Sequence, residues 1–177
     1  FDKIDVPPTL VSFAIAPACT DRVISPEFKQ PGSRVVLLQV PQNKEGLFHE
    51  EDLRHTLEQV ETLIAQGLVR SAYVPSFGGV GAAVAVMAFG NGLGFAFDKG
   101  FEGVFDTRRG AFVLELSENA PMVVTLVGHT QMNAGIALPS GEEVALSALE
   151  EAWKATLEPV FPEKTKEEGE VDRKSVV

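Results

Sequence analysis

Hydrophobic and polar positions alternate with two different periods along the chain, which predicts both strands and helices. In 9–16, the large residues Val11, Phe13 and Ile15 alternate with small ones, as in a strand covered on one face. In 34–40 the apolar run is nearly continuous, which is typical of a strand buried on both faces. Further strands are predicted in 69–74, 93–97, 110–116, 122–127 and 135–138.

A helical period is clearest in 50–66, before Gly67, which can cap a helix in the left-handed conformation. Its apolar stripe consists of Leu53, Leu57, Val60 and Ile64. A short buried helix is predicted for 80–89. A last helix is predicted to begin near Ser147, which has capping-box spacing with Glu150, and to end before Pro159. The side chains that this helix is expected to turn inward are Leu149, Trp153 and Leu157. This order of elements favours one α/β or α+β domain with a mixed sheet.

Composition narrows the function classes. The chain has 177 residues, 45% of them hydrophobic and 23% charged, so it can bury a core without a disulfide or a metal. Its net charge of −10 disfavours nucleic acid and anionic membrane surfaces as partners. The single cysteine, Cys19, cannot form an internal disulfide, and no signal peptide or membrane-spanning run is visible. We therefore expect a cytoplasmic protein.

The composition changes after Pro162. The residues in 163–170 include no large apolar side chain, so we predict a domain over 1–162 and a solvated linker over 163–177. Because the chain does not begin with methionine and ends on this charged tail, we expect it to be part of a longer protein.

The most suggestive chemistry lies in the turn from the strand 69–74 into the helix 80–89. Glycines there can expose backbone N–H groups to an anion at the helix N-terminus. We favour a simpler interpretation, in which the glycines form a tight turn and bring the helix close to the sheet; a phosphate or ligand contact stays open. Gly79 and Gly81 begin a dinucleotide fingerprint, but Val84 stands where a third small residue is needed, and Pro75 interrupts the strand.

Other chemically active side chains are scattered. We interpret His49 and His55 as surface residues, and His129 as part of a loop after a strand, where ligand contacts often lie. Cys19 has no nearby histidine to activate it. Arg108 and Arg109 are adjacent in a loop and can bind phosphate, although on an acidic domain such residues more often neighbour carboxylates. No catalytic or metal-ligating residue is predicted.

Several segments follow one another in a recognisable order. They are 6–16, 24–29, 32–38, 71–80, 87–90, 104–114 and 127–130. In order and spacing they resemble the large, single-chain form of phosphoribosylformylglycinamidine synthase, the glutamine-dependent ligase of purine biosynthesis. The resemblance covers about 5–162. It corresponds to the second of that enzyme's two lobes shaped like the C-terminal domain of aminoimidazole ribonucleotide synthetase.

The resemblance implies a three-layer α/β/α lobe with a mixed, partly ferredoxin-like sheet. It also implies that the parent enzyme uses ATP and Mg²⁺ to convert formylglycinamide ribonucleotide to the formylglycinamidine. The partners of this lobe would be the nucleotide-binding lobe and the glutaminase domain of the same chain, together with the ribonucleotide substrate. No cofactor is expected in this chain itself.

This chain departs from the family at two loops. Val74-Pro75-Ser76-Phe77 stands where many members have His-Asp-Arg-Ser-Asp, and 42–47 holds a single glycine where a glycine-rich loop is common. We therefore expect an architectural or cleft-completing lobe that is inactive alone. Ser76, Gly78 and Gly79 match a place where the family's backbone approaches its ligand. The alternatives are a self-contained small-ligand-binding module and, less favoured, a dinucleotide-binding domain.

Overall fold

The computed structural model describes residues 8–121, 125–160 and 162, so the predicted linker 163–177 lies outside the described residues. Within them a short 3₁₀ turn, Thr20–Arg22, precedes seven strands and three helices. The strands are β1 (Arg34–Gln39), β2 (Val69–Tyr73), β3 (Gly94–Phe97), β4 (Ala111–Leu116), β5 (Thr125–Gln131), β6 (Gly135–Ala137) and β7 (Glu143–Ala145). The helices are α1 (Glu50–Ala65), α2 (Gly79–Phe89) and α3 (Leu146–Ala155). None of these helices is long and apolar enough to cross a bilayer.

All seven strands form one mixed sheet in the order β2-β4-β1-β5-β3-β6-β7. β1 is antiparallel to both of its neighbours, β4 and β5. The remaining pairs are also antiparallel, except that β3 and β6 are parallel. It follows that β1, β2, β3 and β6 run in one direction and β4, β5 and β7 in the other. The mixed sheet that the sequence predicts is confirmed.

Two cores cover the two faces of the sheet. Val36 and Leu38 of β1 pack on the side of α1, together with Val60 of that helix. Val35 and Leu37, the alternate residues of the same strand, pack on the opposite side, where α2 lies. The continuous apolar run of β1 thus reflects burial on both faces, and the three-layer α/β/α arrangement is confirmed.

The strand predicted for 9–16 is absent, and that prediction is wrong. The residues from Pro8 to Cys19 belong to no helix or strand, and all of them are exposed. The reason is topological. β1 is flanked on both sides by β4 and β5, and neither edge strand, β2 or β7, pairs with this segment, so it has no neighbour to make it a strand.

In the second half of the chain the structure differs from the sequence-based prediction at two strands. β5 continues to Gln131, so His129 lies in a strand and not in a loop, while residues 122–124 of the predicted strand lie outside the described residues. β7 was not predicted, because its three residues include a single large apolar one, Val144, and it exists through pairing with β6.

Helix α3 begins at Leu146 without a side-chain cap hydrogen bond, so the predicted capping box is wrong. Leu146 is buried and Leu149 packs against the core, but Trp153 and Leu157 are each 60% exposed. The helix is thus held mainly at its first turns, while Trp153 near its end meets the ring of Phe89 in α2 but stays largely exposed. Similarly, Leu57 in the apolar stripe of α1 is 47% exposed.

Candidate functional site

The carboxyl ends of β1, β2 and β3 lie at one end of the sheet, because these strands run in the same direction. Ligands of open α/β sheets bind outside such ends. Ser76, Gly78 and Gly79, the binding residues predicted from the sequence, lie here in the turn from β2 to α2. This end of the sheet is therefore the candidate site.

The turn depends on two consecutive glycines. Gly78 and Gly79 have φ values of 83° and 63°, which residues with a Cβ rarely adopt. The N–H of Gly79 donates to the carbonyl oxygen of Ser76 at 3.1 Å, closing the turn. Gly78 occupies the N-cap position of α2 and supplies no side-chain cap. This geometry supports the tight-turn interpretation.

The loop between β3 and β4 packs directly on this turn. The N–H of Gly81 donates to the carbonyl oxygen of Val104 at 2.8 Å. A Cβ added to Gly79 would lie 2.5 Å from the carbonyl oxygen of Asp106, and one added to Gly81 would lie 2.7 Å from the ring of Phe105. The glycines therefore admit the loop, and the N–H groups of both Gly79 and Gly81 are already bonded within the protein. An anion at this helix terminus would compete with the loop.

The side chains around the turn are apolar and exposed. Val74, Phe77 and Phe105 are 56%, 95% and 67% exposed. Ser76 and Phe77 also line a pocket of about 350 Å³ between α2 and α3. At the far side of that pocket the rings of Phe89 and Trp153 lie 5.7 Å apart. Such a surface suits contact with protein better than contact with a phosphate.

A more polar cavity of about 480 Å³ lies at the carboxyl ends of β1 and β3. Arg108 crosses it: Nη1 donates to Gln39 Oε1 at 3.1 Å, and Nη2 donates to the carbonyl oxygen of Glu102 at 2.9 Å. Its guanidinium carbon lies 5.7 Å from the centre of the Phe101 ring, and its buried Nε has no hydrogen-bond partner among the described residues.

The charges of this cavity argue against phosphate. The carboxyl-bearing residues Asp98 and Glu102 line it together with Arg108, so a dianion would meet repulsion as well as attraction. Arg109 is exposed, and its carbonyl oxygen accepts a hydrogen bond from Gln42 Nε2. A neutral or cationic polar ligand suits this cavity better.

The histidines and the cysteine are not brought together. His49 precedes α1 and His55 contacts Gln59 at 3.1 Å on the same helix; both are exposed, which confirms the surface interpretation. His129 is exposed on β5, opposite Arg34 in the sheet register. Cys19 is exposed near the 3₁₀ turn. No catalytic pair arises from these residues.

A buried carboxylate was missed from the sequence. Glu115 of β4 is fully buried and accepts hydrogen bonds from the backbone N–H of Lys29 at 2.8 Å, the N–H of Gln30 at 3.1 Å and the hydroxyl of Ser71 at 2.7 Å. A charged residue inside the apolar run of β4 is the signal that could have found it. Its three donors fix the segment that enters β1, so its role is structural.

Potential metal ligands are dispersed among the described residues. Among them, no group of three or more His, Cys, Asp or Glu side chains could hold a metal ion. The turn before α2 carries no lysine, and the N–H groups of Gly79 and Gly81 are bonded internally.

No protein-family model and no curated protein matches this chain. Solved structures do. PurL from Thermotoga maritima in complex with AMPPCP is 12% identical over 73% of this chain and 27% of its own, with a TM-score of 0.59. Phosphoribosylformylglycinamidine synthase II from the same organism is 13% identical over 73% and 28%, with a TM-score of 0.57. PurLQS from Thermotoga maritima is 13% identical over 75% and 28%, with a TM-score of 0.59.

These likenesses show the fold. The structures that share it belong to the enzyme that the order of sequence segments resembles, so that resemblance is confirmed for the architecture. The chain spans little more than a quarter of the PurL chains that it matches.

Proposed function

We propose that this chain is one lobe of a longer ATP-dependent, glutamine-using ligase of purine biosynthesis, which converts formylglycinamide ribonucleotide to the formylglycinamidine. The observation that carries the proposal is the fold shared with PurL over 73% of the chain. The order of the sequence segments supports the proposal independently of the fold. The natural protein would work in the cytoplasm.

Within that enzyme, the lobe would complete the cleft and not perform the chemistry. The nucleotide-binding lobe of the same chain would hold ATP and Mg²⁺, and the glutaminase domain would supply ammonia. Two features support this division: the N–H groups of Gly79 and Gly81 are used inside the lobe, and apolar side chains surround the turn. Neither feature suits a site that binds the phosphates of a nucleotide.

An apolar wall still serves an amide-to-amidine conversion. Ammonia must react in preference to water, which is present at far higher concentration. Val74, Phe77 and Phe105 lie exposed at the carboxyl end of the sheet and would exclude water from a cleft closed by the second lobe. This wall is the contribution that we assign to the lobe.

The test compares the isolated 177-residue chain with the full-length natural protein. Given ATP, Mg²⁺, glutamine and formylglycinamide ribonucleotide, the full-length protein is expected to form the amidine and release glutamate and ADP. The isolated chain is expected to do neither. Amidine formation by the isolated chain would contradict the architectural role, and its absence from the full-length protein would contradict the proposed reaction.

We propose Ser76, Gly78 and Gly79 as substrate- or phosphate-binding residues, and the same assay tests the side chain of Ser76. Ser76→Ala removes a hydroxyl without altering the backbone of the turn. If that hydroxyl bonds a charged group of the substrate, KM of the full-length protein should rise about tenfold at unchanged Tm. An unchanged KM would contradict a substrate contact of the Ser76 hydroxyl.

The alternative, a self-contained small-ligand module, is favoured by the Arg108 cavity alone. It predicts that a small neutral or cationic compound raises the Tm of the isolated chain. A dinucleotide-binding domain is not supported. The Rossmann unit needs parallel neighbouring strands around its first helix, whereas β2 pairs with antiparallel β4.

A further inference from the structure

Arg108, in the cavity at the carboxyl ends of β1 and β3, has hydrogen-bonding capacity that the protein leaves unused. Its two outer nitrogens bond to Gln39 Oε1 and to the carbonyl oxygen of Glu102. Its Nε is buried and has no hydrogen-bond partner among the described residues. A buried donor without an acceptor is costly, so a carboxylate that bonded to Nε and Nη2 together would relieve that cost.

The same cavity brings carboxylates to the guanidinium without pairing them with it. Asp98 and Glu102 both line the cavity. Asp98 Oδ1 accepts a hydrogen bond from the N–H of Gly100 at 2.9 Å. The salt bridges within the described part of the chain join other residues, so neither carboxylate is neutralised by a neighbouring base there. Groups of both signs therefore face one space and stay available to a ligand.

The rest of the lining is apolar. The ring of Phe101 is 5% exposed and lies 5.7 Å from the guanidinium carbon of Arg108, which orients the guanidinium by a cation–π contact. Leu37, Leu38 and Leu126 also line the cavity. Its volume of about 480 Å³ falls within the range of roughly 300–1,000 Å³ that small-molecule sites occupy. A ligand with both charged and aliphatic parts would meet a matching surface for each.

This arrangement of charges discriminates between ligand classes. A phosphate or a simple carboxylate would be attracted by Arg108 but repelled by Asp98 and Glu102, and a simple amine would meet the opposite conflict. A molecule that carries a carboxylate and an ammonium group on one carbon atom satisfies both signs at once. The α-amino acids have this structure.

We propose that the cavity is a binding site for a free α-amino acid with an apolar side chain. Its carboxylate would bond to the guanidinium of Arg108, and its ammonium group would face Asp98 and Glu102. Its side chain would lie against Phe101 and the leucines of the lining. The site is additional to the reaction proposed above, and its test requires no turnover.

Titration calorimetry of the full-length natural protein tests the proposal with L-leucine and two analogues. L-Leucine is expected to bind with a Kd below about 1 mM. 4-Methylpentanoate lacks the ammonium group and 3-methylbutylamine lacks the carboxylate, so each should bind at least about tenfold more weakly. Absence of leucine binding would overturn the proposal. Binding of either analogue, or of inorganic phosphate, as tightly as leucine would also overturn it.

Variants locate the bound leucine. Arg108→Met and Asp98→Asn should each raise the Kd for leucine about tenfold or more. Asp98→Asn keeps an oxygen that can accept the N–H of Gly100, so it tests the site even where Arg108→Met lowers stability. The matched control is Arg109→Met, on the exposed neighbouring residue, which should leave the Kd unchanged. An unchanged Kd in Asp98→Asn, or equal losses in the two arginine variants, would overturn the proposal.

The outcome is separate from that of the proposed reaction. A full-length protein that forms the amidine but does not bind leucine would overturn this inference and leave the proposed function standing. One that binds leucine in the cavity without forming the amidine would support the site and contradict the reaction.

Discussion

The apolar patterns of 9–16 and of 34–40 both predict a strand, but the first segment is exposed in the structure and the second forms the buried strand β1. Val35 and Val36 of β1 are fully buried, while Leu10 and Ile15 are almost fully exposed. β1 has a partner on each side and a core on each face. The difference teaches that an apolar pattern specifies a strand and the number of faces it buries, but not the sheet to which it belongs.

The largest expected effect contrasts one leucine from each region. Leu37→Ala removes a side chain that is 5% exposed in β1, so it should cost about 2–5 kcal/mol of unfolding free energy. Leu10→Ala, at a position that is 98% exposed, should change it by less than about 0.5 kcal/mol. Chemical denaturation of the 177-residue chain measures both. Comparable losses would show that 9–16 packs on this lobe, and would break the comparison.

The next largest effect is expected at the turn after β2, on which the β3–β4 loop packs. Gly79→Ala and Gly92→Ala both force an alanine to positive φ, at 63° and 65°, which costs about 1 kcal/mol. A Cβ at Gly92 meets nothing within 4 Å, whereas one at Gly79 meets Asp106. Gly79→Ala should therefore cost about 1–3 kcal/mol more in the same denaturation measurement. Equal losses would mean that the β3–β4 loop yields easily.

Glu115 binds the backbone of Lys29 and Gln30, which lie between the segment 9–16 and strand β1. We call these two residues the junction. Glu115→Gln keeps the size of the side chain but replaces one acceptor oxygen by an NH₂ group, so a buried donor loses its partner. We expect a loss of about 1–3 kcal/mol, together with faster hydrogen exchange at Lys29 and Gln30. The control is Glu118→Gln on an exposed residue, expected near zero. An unchanged exchange rate at Lys29 and Gln30 would mean that Glu115 does not hold the junction.

The smallest effect concerns the pH dependence of the same junction. Hydrogen bonds from Lys29 and Ser25 lower the pKa of Glu27 from its ordinary 4.5 to about 2. Because the pKa is lowered by folding, the ionised side chain favours the folded state above pH 4.5, and this contribution is lost as pH falls towards 2. The carboxyl carbon resonance of Glu27 should titrate near pH 2, and at a higher pH in Lys29→Met, in which the hydrogen bond from Ser25 is left. Titration near 4.5 in the unmodified chain would show that the Lys29 contact does not form.

The local pattern of apolar and polar residues was enough to predict most of the helices and strands of the lobe. α1, α2 and β1 to β4 agree with the sequence-based bounds to within about a residue, because each buries a face that its own residues define. β7 could not be predicted, since it depends on its register with β6. The high exposure of Trp153 could not be predicted either, because the period of α3 does not say how far α2 covers that side chain.

The candidate site was predictable in position but not in its contacts. The glycines and Pro75 mark the turn after β2 in the sequence. The approach of Val104 and Asp106 to that turn, and the bonds from Lys29 and Gln30 to Glu115, join residues far apart in the chain. Such contacts follow from the topology of the sheet, which local periodicity does not contain.

The intact mass of the natural polypeptide that contains this sequence tests most directly whether the chain is a lobe of a larger ligase. The matched PurL chains are more than three times as long as the part that this chain covers. We expect a polypeptide several times heavier than 19.0 kDa, with peptides of this sequence covalently joined to a preceding nucleotide-binding lobe. A mature polypeptide of about 19.0 kDa would contradict the proposal.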